Sequence, residues 1–267
     1  MRVLNICNLK GGVGKTITAI NLACILAEIH KKKVLVVDND KQGNTSKFFR
    51  AHSYDYPSIA DIMTGAKGAD EVIRHTAYER IDIIPANMSL LAANRAVLLD
   101  TMKPQQTRIR NAFDKVWGAY DYEIVIIDNA PDENMSVINA LAAGDDVIIP
   151  VKVDKFTFDG VDEMLQCVKQ VKENFNPGLT FRGCVITNFR NNEVNSQGVA
   201  YMGTLSKYRL MATQIHWSMK VDESTFTFKP ITKHSPRSWA ARDYKKLARE
   251  YLAAVGILSD SDNTKEA

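Results

Sequence analysis

Cysteine is scarce in this chain. Cys7, Cys24, Cys167 and Cys184 lie far apart, with no C-x-x-C pair and no neighbouring histidine. Three of them fall in apolar strand or helix patterns and read as small core residues, which suits a reducing cytoplasm. No apolar run approaches the roughly 20 residues needed to cross a bilayer. No signal peptide is expected, because Met1-Arg2 runs straight into an apolar strand. Charge of one sign is also sparse: the formal net charge is +3 and the pI about 8.5. That mild excess permits nucleic-acid contact without demanding it, since local clustering matters more than the sum. Internal repeats and low-complexity linkers are absent as well.

What the 267 residues do contain is alternation. Short Val/Ile/Leu-rich runs at 3–8, 33–38, 81–85, 123–128, 145–151 and 179–187 predict strands buried on both faces, hence a parallel sheet. Helical patterns are expected between them at 16–29, 89–99, 106–117, 134–143, 159–174 and 197–210, with a last helix near 238–255. The fold class expected is α/β, a doubly wound, mostly parallel sheet flanked by helices. One domain is expected over 1–258, followed by a polar tail, 259–267, expected to fray.

The chemistry starts at Lys10-Gly11-Gly12-Val13-Gly14-Lys15-Thr16, directly after the first strand and at the head of a helix that continues through Ile17. Glycines let backbone N–H groups approach phosphate oxygens, and the helix N-terminus adds partial positive charge. Lys15 would reach the β and γ oxygens of a nucleotide, and Thr16 could ligate Mg²⁺. The ordinary P-loop wants a glycine at position 9, where this chain has Leu9; it places a second lysine, Lys10, at the head of the loop instead. Acid comes from two strand ends. Ile124-Val125-Ile126-Ile127 ends in Asp128, the Walker B arrangement for holding Mg²⁺. Val34-Leu35-Val36-Val37 ends in Asp38-Asn39-Asp40. Each of Asp38 and Asp128 could alternatively cap a following helix.

The loop K-G-G-x-G-K-T resembles the deviant Walker A of the ParA/MinD family of dimeric ATPases. The resemblance covers about residues 1–255 and implies a homodimer closed by ATP, with Lys10 crossing to the other subunit's nucleotide and Lys15 acting in its own. Asp38-Asn39-Asp40-Lys41-Gln42-Gly43-Asn44 resembles the family's D-x-D-P-Q-G-N switch I. That implies that Asp40 prepares the attacking water and Asp38 supports the metal's shell. Lys41 stands where the family has proline, and Ala130 in Asn129-Ala130-Pro131 where switch II usually has another. Ile186-Thr187-Asn188-Phe189 occupies the place of a base-contacting strand end, so Asn188 reads either as an adenine contact or as a turn cap. Ile215-His216-Trp217-Ser218 stands where the family has I-P-R-x, without its proline and arginine.

Among the family's branches, iron–sulfur proteins need a switch II cysteine that is absent from 128–137. MinD-type proteins end in a basic amphipathic helix, whereas this chain ends acidic and polar. The ParA branch implies a cytoplasmic, nucleoid-associated ATPase that pairs with ATP and Mg²⁺, binds double-stranded DNA non-specifically and is released when a ParB-like adaptor stimulates hydrolysis. Lys220 aligns with a DNA-contacting arginine of that branch. Arg190, Lys229, Lys233, Arg237 and Arg242 would join it in a phosphate-tracking patch, with Lys207 and Arg209 nearby. Two alternatives stay open: a MinD-type membrane-associated positioning ATPase, and a nucleotide-dependent scaffold with little hydrolysis.

Overall fold

A computed structural model describes residues 1–116, 118–154 and 157–258. The expected tail 259–267 and the expected helix end at Trp117 lie outside the described residues. Eight strands form one sheet: β1 (Arg2–Ile6), β2 (Val34–Asn39), β3 (Arg74–His75), β4 (Ile81–Ile84), β5 (Ile124–Asn129), β6 (Asp146–Lys152), β7 (Thr180–Phe189) and β8 (Leu210–His216). Their spatial order is β3-β4-β2-β5-β1-β6-β7-β8, and only the short β3 runs antiparallel to its neighbour.

Alternation along the strands builds a core on each face of the sheet. Leu4, Ile6, Val34, Val36, Ile124 and Ile126 pack into one cluster with the helices Lys15–Glu28 and Trp239–Ala254. Val3, Leu35, Val37, Val125 and Ile127 point the other way, toward the helices Ile59–Thr64, Ser89–Leu99 and Arg108–Val116. Successive side chains of a strand face opposite sides, so strands covered on both faces need unbroken apolar runs. Each fully buried Leu or Ile contributes about 1.5–3 kcal/mol. Far from the glycine loop, buried Asp146 accepts from Arg2 Nε and Arg182 Nε at 2.5 Å each and from Tyr251 Oη at 3.0 Å. These contacts fasten the last helix to the sheet.

One expectation fails. The helix expected at 197–210 is instead Glu193–Thr204, followed by a single tight turn and then β8. The run Leu210-Met-Ala-Thr-Gln-Ile-His alternates buried and exposed side chains as an edge strand does, and it lacks the continuous apolar content of the inner strands. The capping residues Asn134, Ser218 and Ser238 each accept a backbone N–H at the start of the helix that follows.

Candidate functional site

The glycine loop lies at the carboxyl end of β1, between β5 and β6. Gly12 and Gly14 have φ of 72° and 85°, a backbone region that only glycine enters without strain. Two side chains anchor the loop to neighbouring strands. Asn8 donates to Pro150 O at 2.8 Å and accepts the Lys10 N–H at 2.9 Å, while Thr187 Oγ1 donates to Val13 O at 2.8 Å. Lys15 is buried, and its ammonium donates to Lys10 O at 2.9 Å. Burial lowers its pKa from the usual lysine value, and the Asp128 carboxylate opposes that shift. The Lys10 ammonium contacts Asp154 of its own chain.

A cavity of about 630 Å³ opens over the loop. Gly11, Gly12, Gly14, Lys15, Thr16 and Ile17 form its floor and Asp40 and Pro131 its acidic side. Asn188, His216, Asp222 and Phe228 stand at the opposite wall. Asn188 holds φ at 51°, an uncommon backbone state for a residue with a side chain.

The two strand-end acids are register neighbours: Asp38 on β2 pairs with Asp128 on β5, and Asp128 also pairs with Ile6 on β1. Both are buried. Burial pushes Asp38 up to about 7, helped by the adjacent Asp128. Burial likewise raises Asp128 to about 6, against the pull of the Thr45 hydroxyl bonded to it and of the Thr16 hydroxyl nearby. Thr45 Oγ1 donates at 2.7 Å to one Asp128 oxygen; the other, Oδ1, is buried without a partner. An orphaned carboxylate oxygen beside Thr16 and Lys15 fits a bound cation. No group of three or more His, Cys, Asp or Glu placed to hold a metal occurs among the described residues. Mg²⁺ suits such a sparse donor set, because it relies on one or two carboxylates together with phosphates and water.

Asp38 points elsewhere. Its Oδ2 accepts Ser46 N at 2.7 Å and Ser46 Oγ at 2.6 Å, and its Oδ1 accepts Asp40 N at 3.2 Å. It therefore ties Ser46 of the helix Asn44–Phe48, whose N-cap is Gly43, to the end of β2 and holds the loop bearing Asp40. The helix after β5 is capped by Asn134, so Asp128 has no such duty there. Thr45 and Ser46 escape sequence reading because nothing in their spacing marks them; only the turn at Gly43 brings them back over the acids. Beneath the acids, Asn39 donates to Asn129 at 2.8 Å and Asn129 to Asn5 at 3.0 Å, an amide ladder across β2, β5 and β1. Asn5 inside its apolar run, and an asparagine directly after each strand-end aspartate, were the available signals.

The six cations expected to meet DNA differ in their surroundings. Lys220 pairs with Glu223 at 2.8 Å and Lys233 with Glu28 at 2.5 Å. Arg190 and Arg242 instead lie over Trp217 and Trp239, and no carboxylate partners either guanidinium among the described residues. Lys229 and Arg237 likewise have no ion pair among them.

A glycine loop opening a buried helix, with two acids on adjacent strands of a doubly wound sheet, defines a P-loop nucleotide-binding fold. A family described as an AAA domain matches residues 1–181. The chain is 33% identical to the sporulation initiation inhibitor protein Soj of Bacillus subtilis, covering 94% of this chain and 98% of that protein. It is 29% identical to the chromosome partitioning protein ParA of Caulobacter vibrioides, covering 95% and 94%. An ATP complex of a McdA variant from Cyanothece superposes with a TM-score of 0.84 at 19% identity, over 97% and 98% of the two chains. Cobyrinic acid a,c-diamide synthase of Mycobacterium smegmatis, with an ATP analog and magnesium, gives 0.81 at 25% identity over 96% of each chain. This chain belongs to the ParA-type branch of the ParA/MinD ATPases.

Proposed function

We propose that this protein is a partition ATPase that pairs when it binds ATP and Mg²⁺ and holds DNA only while paired. Hydrolysis, stimulated by an adaptor of the ParB kind, then releases it. The partition names of its relatives Soj and ParA support this reading. So do the solved nucleotide complexes of similar chains. The observation that carries it is the unpartnered Asp128 oxygen buried next to Thr16 at the mouth of the glycine loop.

In this reading the loop's N–H groups and Lys15 grip the β- and γ-phosphates, and Thr16 and Asp128 hold the cation. The cation, when bound, neutralises charge developing on the transferring phosphoryl group. Asp40, on the cavity wall and fixed through its N–H to Asp38, orients the attacking water. Lys10 completes the site of the second subunit. Asn188 at the far wall reads the base. Pairing doubles the number of cations available to one DNA molecule, so nucleotide controls DNA affinity through avidity.

Binding of plasmid DNA with ATP and Mg²⁺ tests the proposal. Expected is retention with ATP that disappears in the Lys15→Ala variant and at high salt. Retention on anionic vesicles in place of DNA would overturn it in favour of a MinD-type role. DNA retention with no turnover under any stimulation would reduce it to a scaffold.

A further inference from the structure

Beyond the nucleotide cavity, the carboxyl ends of β7 and β8 open into a second cleft of about 480 Å³. Phe189, Arg190, Asn191, His216, Trp217 and Trp239 line it. Large rings are normally covered, yet Trp217 is 43% and Trp239 66% exposed. The cleft is built rather than incidental. The backbone N–H of Trp217 donates to Phe189 O at 2.9 Å, tying the two strand ends together. Asp243, itself buried, accepts from the His216 backbone N–H at 3.0 Å and contacts His216 Nδ1 at 2.8 Å through the same oxygen. That fixes the imidazole, with Phe189 edge-on to it at 5.4 Å and Trp239 tilted at 6.1 Å between ring centres.

Its charge selects the ligand. The Arg190 guanidinium lies 4.4 Å from the centre of the Trp217 ring and that of Arg242 5.3 Å from the Trp239 ring. Because neither has a carboxylate partner among the described residues, their donors remain for an incoming oxyanion. Two guanidiniums repel a cationic guest, so the rings do not form a cage for an ammonium group. What fits is a planar ring joined to an anion.

We propose that this cleft binds a single-stranded nucleic acid, with unpaired bases stacking on Trp217 and Trp239 and phosphates held by Arg190 and Arg242. Every base has a π-face, so such a platform is tolerant of sequence. A duplex hides those faces within its own stack and can engage only the two arginines. The inference rests on reading the C-terminal third as a nucleic-acid surface, and narrows part of it to strands with free bases.

The full-length protein, with ATP and Mg²⁺, is titrated with an oligothymidylate of about 20 nucleotides and with a duplex of equal length, using labelled-DNA anisotropy and tryptophan fluorescence. The single strand is expected to quench tryptophan emission. Trp217→Ala and Trp239→Ala are each expected to weaken its binding about tenfold or more, Trp→Phe at either position to retain most of it, and duplex affinity to stay unchanged in all four. Equal affinity for strand and duplex, unmoved by the tryptophan variants, overturns the inference while leaving the DNA reading standing. Failure to bind either overturns both. Loss of the ATP-dependent dimer in Trp217→Ala would show that the cleft joins two copies of this chain, and would also overturn it.

Discussion

Lys41 Nζ lies 3.3 Å from Asp132 Oδ2, so the loop after β2 is tied by charge to the loop after β5. The first loop carries Asp40 and the second follows Asp128, so the contact joins the two acidic arms of the site. Both side chains are about a third to a half exposed (34% and 47%), which limits the pair to at most about 1 kcal/mol. Lys41→Ala and Asp132→Ala are each expected to lower ATP turnover no more than about fivefold, by loosening the loop that holds Asp40. The double variant should be no worse than either single one. Steady-state rates at low and high salt check this, since an effect that persists unchanged in high salt would not be this ion pair.

Lys10 is engaged within its own chain by Asp154. Its proposed place at a second subunit's nucleotide therefore requires that contact to break first. Asp154→Asn weakens this competing contact and is expected to shift ATP-dependent pairing to lower protein concentration, by up to about fivefold for a partly exposed pair. Lys10→Ala should prevent pairing and leave nucleotide binding by single protomers intact. Sedimentation velocity with and without ATP separates these outcomes. Unchanged pairing in Lys10→Ala would remove the lysine from the interface.

Much of this site was legible because its chemistry follows the chain in order. The glycine loop must follow a strand and open a helix, and Asp38 and Asp128 must end strands. Apolar runs around them announced the strand ends, so the sheet's inner strands were readable too. β8 was not, because an edge strand covered on one face mixes Thr, Gln and His among its apolar residues and resembles a helix tail. Thr45 and Ser46 were unreadable for another reason. Their role is made by the turn at Gly43, whose N–H donates to Asp40 O at 2.8 Å and folds the short helix back over the acids. The state of the charged patch was hidden as well. Sequence counts Lys220 and Arg190 alike, whereas the structure places Glu223 on one and an indole under the other.

Two glycines at the site should fail in different ways. Gly43 holds φ at 63°, and a Cβ there would sit 2.6 Å from His52 Cδ2 and 2.7 Å from Ala86 O. Gly43→Ala is therefore expected to cost about 2–4 kcal/mol in stability, from backbone strain and the clash together. Nothing lies within 4 Å of a Cβ at Gly11. Gly11→Ala should fold like the parent and lose nucleotide affinity, because the added methyl stands where phosphate must approach the backbone. Urea denaturation and nucleotide titration of the pair check both arms; a stable Gly43→Ala would mean that the turn at 43 can relax.

Asp128 gives the site a pH signature. Its pKa is about 6 in the folded chain against an ordinary 3.8, so between those values the folded protein binds more protons than the unfolded one. The contribution of Asp128 to stability without metal or nucleotide is thus at its fullest below about pH 4 and is lost as pH rises through about 6. Asp128→Asn keeps the shape, leaves Thr45 an oxygen to bond, and removes the buried charge that also raises Asp38. It is expected to raise stability by up to about 3 kcal/mol near pH 8 and by little near pH 4. The same substitution should abolish Mg²⁺-dependent turnover, because it neutralises the orphaned oxygen. Denaturation curves at the two pH values decide the matter: an equal gain at both would mean that burial does not raise this carboxyl's pKa, and a gain near pH 8 well beyond about 3 kcal/mol would mean that it stays protonated in the folded state, where it could not hold a metal by its charge.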